Sequence, residues 1–245
     1  MLVMIYYTVL GYQWLQHNML KYSKDINGDD ILLEVCEKGV AQVMMAWEKP
    51  YMEACINKLK PKGHVLEVGF GMGYSATQIQ KYNPKSYTII ECNQTVLKKC
   101  KEWAKKYDNV TIIESTWQEA VVTKKLKVYD EIFFDDQPLI ENEGMSQDSG
   151  RMKLFMQLLT EYKNVKNGTK MSGYLCADST DERHTQLKNF YSSVKSFSNP
   201  GKWIWESENF KVDVSNITTY HESKNSAIIP LMTFQQQNNS YIFIR

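Results

Sequence analysis

Short apolar runs bounded by glycine, proline or asparagine alternate along this chain with stretches whose apolar residues recur every three or four positions. The runs predict strands at Val65–Val68, Tyr87–Ile90, Val110–Ile113, Glu131–Phe134 and Tyr174–Ala177. The periodic stretches predict helices over Ser75–Lys81, from an Asn93 cap through Tyr107, over Met152–Tyr162, and around Leu187, Phe190, Tyr191 and Val194. Two or three more strands are expected within 210–219, 226–234 and 241–245. Upstream, residues 31–59 read as helical, with Val40, Val43, Met44 and Trp47 forming one buried stripe. Pro50 suits a first helical position but not an interior one, so the pattern breaks at Trp47-Glu48-Lys49 and a new helix runs from Pro50 to Leu59. Strands alternating with helices mean an α/β fold, a mostly parallel sheet with helices on both faces and the strand carboxyl ends on one ligand-binding edge. The reading is of a single domain, 1–245, in which 1–60 form a helical lid segment and 61–245 the sheet core.

The bulk properties narrow the partner. With 245 residues the chain can bury a substantial core, and a net charge of +1 gives no long-range field to attract nucleic acid or an anionic membrane. That favours a small-molecule partner, with a monomer or homodimer expected. The cysteines at 36, 55, 92, 100 and 176 are odd in number and lack any C-x-x-C pair, which fits a reduced, cytoplasmic protein with no metal site. Met1–Leu10 is apolar but lacks a basic start and is too short to span a bilayer, so it is read as packing on the domain.

The densest chemistry lies in Val65-Leu66-Glu67-Val68-Gly69-Phe70-Gly71-Met72-Gly73-Tyr74-Ser75. A strand, a turn with glycine at alternate positions and a helix start make a nucleotide-binding cradle, because glycine bends sharply and lets a ligand approach the backbone. A dinucleotide fold would want its third glycine where this chain has Tyr74. Glu91, about 20 residues further on at the end of the second strand, is placed to accept ribose hydroxyl protons, with Cys92 and Asn93 beside it. Trp117, after the third strand, is either an adenine neighbour or core. Asp135 follows Ile132-Phe133-Phe134 and so stands partly desolvated at a strand mouth, where it needs a cationic partner or hydrogen bonds. Asp136 reads as a solvated loop residue. Glu48, at the helix break, can point into the same cleft. Two carboxylates can hold opposite edges of one guanidinium, align a nitrogen and take its proton.

Several stretches in order resemble guanidinoacetate N-methyltransferase and its relatives that methylate arginine side chains. They are Val43-Met44-Met45-Ala46-Trp47-Glu48-Lys49-Pro50-Tyr51-Met52, the Val65–Met72 turn, Ile89-Ile90-Glu91-Cys92-Asn93, Trp117-Gln118-Glu119 and Phe134-Asp135-Asp136-Gln137-Pro138-Leu139. The resemblance implies a Rossmann-like class I methyltransferase sheet of seven strands and S-adenosylmethionine as cofactor. It places Met44, Met52, Glu67, Gly69, Phe70, Gly71, Met72, Gly73, Tyr74, Ser75, Glu91, Cys92, Asn93, Thr116, Trp117 and Asp135 around that cofactor. It also puts Glu48 and Asp135 on the guanidino group, with Thr180 and Asp181 on the substrate side, and implies that an amino-terminal segment near Trp14 closes over the site. Its final strand resembles Ile229-Pro230-Leu231.

The departures matter. Gly73-Tyr74 stand where the family has Ala-Ile, and Asp136-Gln137 where it has Thr-Tyr. Ser179-Thr180-Asp181-Glu182 would repel a carboxylated acceptor, so the reading is an N-methyltransferase of a small guanidino compound or amine, preferably a cationic or uncharged one. The competing readings are an aminopropyltransferase using decarboxylated S-adenosylmethionine, disfavoured by Met72 where such enzymes carry Asp, and an inactive methyltransferase-like scaffold.

Overall fold

The computed structural model describes residues 19–37, 39–123, 125–136, 148–175, 179–213 and 226–237. Met1–Leu10, the region near Trp14, most of the acidic loop before the helix at Met152 and the strand expected within 241–245 lie outside them.

Among the described residues, ten strands form two sheets. The larger has seven strands in the order β6-β5-β4-β7-β8-β10-β9. Its parallel part comprises β4 (His64–Val68), β5 (Ser86–Glu91), β6 (Val110–Glu114), β7 (Tyr129–Phe134) and β8 (Val165–Gly173), and it ends in the antiparallel pair β9 (Gly201–Lys211) and β10 (Ser226–Gln236). Helices cover both faces. One face buries α1 (Lys49–Leu59), α2 (Tyr74–Gln80) and α3 (Gln94–Ala104) against Val65, Ile89 and Phe133. The other buries α4 (Trp117–Val122), α5 (Asp148–Glu161) and α6 (Asp181–Ser192) against Leu66, Ile132 and Phe134. Odd and even positions of each central strand thus serve opposite layers, which is why these strands read as continuous apolar runs.

Local chemistry fixes the boundaries. Pro50 opens α1, and Lys60 closes it in the left-handed region at φ 53°. Asn93 caps α3 by accepting from the N–H groups of Thr95 and Val96. Thr116 caps α4, a short helix the sequence pattern did not predict, by accepting from the N–H of Glu119.

The helical reading of residues 31–45 is corrected. They form, with the segment before them, an antiparallel sheet of β1 (Met19–Lys24), β2 (Asp30–Cys36) and β3 (Gly39–Met45). The turn between β1 and β2 is built by Asp25, whose carboxylate accepts from Asn27 and Asp29 at 2.8 and 2.9 Å. The misleading spacing has a physical cause. Leu33 faces Gln42 but Leu32 faces Met44, so Val43 is an extra residue in β3. The bulge breaks the alternation of two that would have marked a strand, and of the expected buried stripe Met44 is buried while Val40 is 64% exposed. Only the 3₁₀ turn Ala46–Glu48 and α1 are helical there.

Two strands were also misplaced. β8 lies at 165–173, upstream of the expected Tyr174–Ala177, because its Thr169 and Ser172 satisfy their buried hydroxyls by donating to the carbonyls of Tyr129 and Pro230 at 2.7 and 2.6 Å. Polar letters there hide a core strand. β9 begins at Gly201 instead of near 210; as an edge strand it keeps Trp203 and Trp205 inside while polar residues alternate outward.

Candidate active site

Register brings the ends of the parallel strands to one edge. Val68 pairs with both Ile90 and Phe134, Glu91 with Glu114, and Phe134 with Gly173. Ser115, Glu91, the glycine turn, Asp135 and Tyr174 therefore follow one another along that edge.

The turn leaves β4 at Gly69 with φ +81°, and a Cβ there would lie 2.0 Å from the Asp135 carbonyl oxygen. The close approach ties the turn to β7, where Asp135 N–H donates to Val68 O at 3.0 Å. Many candidate cofactor side chains are occupied inward, so the turn presents backbone to the edge. Phe70 is 2% exposed, its ring 5.5 Å from that of Trp103, while its N–H donates to Glu91 at 3.0 Å. Met52 is fully buried in the core between α1 and the sheet, and Met72 nearly so. Met44 lies against Gly71, and Gly73 against the Phe70 ring. Ser75 turns to the fully buried Glu67, which also accepts from the Tyr87 hydroxyl. Burial pushes the Glu67 carboxyl up to about 8 against the pull of those hydroxyls, with the charges of Asp135 and Glu91 adding to the rise. Half-buried Tyr74 is likewise raised to about 12 by burial, then by Asp30 and Glu48.

Glu91 is 8% exposed, and its carboxylate accepts N–H bonds from Phe70, Cys92 and Asn93 at 3.0, 2.8 and 2.8 Å. Burial raises its pKa and these three bonds oppose the rise. The Cys92 thiol is pushed up to about 12 by burial and by the neighbouring Glu91 charge. Asn93 spends its side-chain oxygen on the α3 cap.

Trp117 is 4% exposed, packed between Phe134 and Phe155 with ring centroids 5.8 and 5.3 Å away. Its indole N–H donates to Asp136 at 2.5 Å. Asp136 is not the solvated loop residue expected. Its carboxylate is 16% exposed and also receives Arg151, whose Nε lies 2.9 Å away and whose terminal nitrogen makes a second contact. Arg151 and Tyr22 escaped sequence reading and Asp136 was misread, since nothing local marks partners 15 to 49 residues apart.

The two acids stand on different elements. Glu48 is 2% exposed at the junction of the 3₁₀ turn and α1, its Oε1 accepting from Met45 N–H at 3.1 Å, and its charge is felt by Tyr74. Half-buried Asp135 stands at the mouth of β7, and its charge raises both Glu67 and Cys55. Thr180 and Asp181 are exposed at the start of α6, where the Thr180 hydroxyl caps the helix by accepting from Arg183 N–H at 3.2 Å. Their contacts lie within α6, while neighbouring Ser179 reaches Ser226 at the start of β10.

The family model of guanidinoacetate N-methyltransferase matches residues 15–170, which include the glycine turn, Glu48 and Asp135. The chain belongs to the guanidinoacetate N-methyltransferase family. Among curated proteins, protein arginine N-methyltransferase 2 of Candida glabrata is 39% identical over 123 residues, 47% of this chain. That match spans only 27% of the relative's own length. Spermidine synthase from Thermotoga maritima shares the fold at a TM-score of 0.55, with 16% identity, covering 89% of this chain and 73% of that one. The N-methyltransferase NodS from Bradyrhizobium japonicum shares it at 0.51, with 10% identity, covering 78% and 97%. These identities speak to fold alone.

The family's cofactor is S-adenosylmethionine, and the residues present fit it. A carboxylate offers about four acceptor positions. Glu91 uses three on N–H groups, with a single bond on Oε2, which leaves room for a ribose hydroxyl. The turn at 69–73, whose Phe70 and Met72 side chains are buried, lies beside it through the Phe70 N–H. Among the described residues, no group of three or more His, Cys, Asp or Glu side chains is arranged to hold a metal, and no helix is long and apolar enough to cross a membrane.

Proposed function

We propose that this chain methylates a guanidino nitrogen, using Glu48 and Asp135 as the two acids that grip the acceptor. The observation that carries the reading is Glu48, a carboxylate buried to 2% exposure at the start of α1 whose charge reaches Tyr74 after the glycine turn, in a chain whose Asp135 N–H is bonded to Val68 beside that turn. A guanidinium offers a carboxylate two parallel donors in a fixed fork, which suits an acid held in one place by its own backbone contact. S-adenosylmethionine, when bound, supplies an electrophilic methyl group. The chain's own residues do the rest. Glu91 would hold the ribose, and the Gly69–Gly73 backbone would line the cofactor. Glu48 and Asp135 would orient the acceptor nitrogen, and one of them would take its proton, since a protonated guanidine is a poor nucleophile.

On the acceptor, the exposed Asp181 and Glu182 at the start of α6, taken as the substrate side, would favour a guanidine on a cationic or neutral carrier over one bearing a carboxylate. Arginine in a peptide and a small compound such as agmatine both meet that description. The named activity of the curated relatives supports arginine, and the small-molecule reading rests on the family match. An aminopropyl transfer has less support, because Met72 stands in the turn and the family is one of methyltransferases.

The test is turnover of labelled S-adenosylmethionine with guanidinoacetate, agmatine, free arginine and an arginine-containing peptide. S-adenosylhomocysteine is expected with at least one guanidine, and Glu48→Gln or Asp135→Asn should cut kcat about 100-fold or more while cofactor binding persists. Cofactor binding with no turnover on any guanidine would refute the proposal and leave the scaffold reading.

A further inference from the structure

The antiparallel sheet β1–β3 carries two side chains that reach the glycine turn, and they meet one peptide group from both ends. The Tyr22 hydroxyl, on β1, donates to the Gly71 carbonyl at 2.7 Å. The Met44 sulfur, on β3, accepts from the Met72 N–H at 3.3 Å. That carbonyl and that N–H belong to the same Gly71–Met72 peptide. Both residues point inward from adjoining positions, since Tyr22 pairs with Leu32 and Leu32 with Met44. Behind Tyr22, Lys99 of α3 places its ammonium 4.0 Å from the ring centroid. The fit is tight, because a Cβ on Gly71 would come within 2.9 Å of the Met44 sulfur.

A glycine at φ +50° has no side chain to resist rotation of the peptide that follows it. Left alone, the Gly71–Met72 peptide would exchange orientations and offer a bound nucleoside a changing surface. Burial, then the charges of Glu91 and Cys100, raise the Tyr22 phenol, so the hydroxyl keeps its proton and remains a donor. We propose that Tyr22 and Met44 form a clamp that holds the Gly71–Met72 peptide in one orientation, making the amino-terminal sheet a working part of the cofactor site. Tyr22 is then a positioning residue. It acts through the turn, with no contact to the reacting atoms required.

This inference rests on reading the turn as the S-adenosylmethionine loop, and the experiment separates the two. The dissociation constant of S-adenosylhomocysteine is measured by calorimetry for the wild-type chain, Tyr22→Phe and the control Tyr82→Phe. Tyr82 also loses a side-chain hydrogen bond, to Asn57 at 2.9 Å, but on the surface. Tyr22→Phe should weaken binding about fivefold, as one hydrogen bond of about 1 kcal/mol predicts. The KM for S-adenosylmethionine should rise by the same factor, with kcat and the acceptor KM held, whereas Tyr82→Phe should match wild type. If Tyr22→Phe loses its fold, Met44→Leu removes the sulfur acceptor at similar volume and serves the same comparison. A wild-type chain that binds and a folded clamp variant that binds equally well would overturn the clamp alone. A wild-type chain that binds no S-adenosylhomocysteine would overturn the cofactor reading, and the clamp with it.

Discussion

Gly69→Ala puts the link between the glycine turn and the proposed catalytic strand under direct strain. Gly69 has φ +81°, where an L-residue costs roughly 1–2 kcal/mol. The added methyl would sit 2.0 Å from the Asp135 carbonyl oxygen, far inside contact distance, and the obstacle is backbone that cannot rotate away. Either the turn or the end of β7 must retreat by more than an ångström. Two hydrogen bonds at the junction are then at stake, Gly69 N–H to Ile90 O at 2.9 Å and Asp135 N–H to Val68 O at 3.0 Å, each worth about 1 kcal/mol. Together these give a loss of about 3–4 kcal/mol. In any fraction that folds, displacement of Asp135 by an ångström should cost on the order of 100-fold in turnover. Urea unfolding followed by fluorescence of the six tryptophans reads the first quantity, and S-adenosylhomocysteine release reads the second. Gly150→Ala in α5 is the control. Its Cβ would meet nothing within 4 Å, and the change should be neutral or stabilising by up to about 1 kcal/mol. A Gly69→Ala protein within 0.5 kcal/mol of wild type and fully active would refute the argument.

Two further expectations follow from buried charges. Arg151→Met should destabilise by about 3 kcal/mol, since it strands a mostly buried Asp136 carboxylate whose charge already raises Glu91 and Cys92. Adding Asp136→Asn should recover much of that loss in a double-mutant cycle, and purely additive losses would count against the pair. Glu67 titrates near 8 when folded against an ordinary 4.5, so between those values the folded state holds a proton that the unfolded state has lost. Stability should therefore fall as pH rises through this window, by at most about 1.4 kcal/mol per pH unit. In Glu67→Gln the fall between pH 6 and pH 8 in urea midpoints should shrink, and an unchanged pH slope would argue that Glu67 is ionised in the fold.

Where the chain's own chemistry decides a feature, sequence reading found it. Pro50 starts a helix because its ring suits the first turn, and Asn93 caps one because its side chain reaches free N–H groups two and three residues on. β4, β5, β6 and β7 are apolar runs because both faces are covered, and Gly69, Gly71 and Gly73 mark a turn with positive φ. That Glu48, Glu91 and Asp135 stand at element boundaries was legible because local signals define those boundaries. β1–β3 were misread because a bulge at Val43 breaks the alternation that marks a strand. β8 and β9 were misplaced because a buried strand can carry hydroxyls that bond distant carbonyls, and an edge strand can carry charge.

The sequence by itself determined the strand–turn–helix order, the caps and the positions at which carboxylates leave the sheet, since these depend on φ, on short-range hydrogen bonds and on periodicity. Only the tertiary structure decided that Phe70, Ser75 and Trp117 spend their side chains in the interior, that Asp136 belongs to Arg151, and that Tyr22 holds Gly71. Those outcomes depend on which surfaces meet across tens of residues. Burial then sets the value of each charge and hydrogen bond, and no local pattern encodes it.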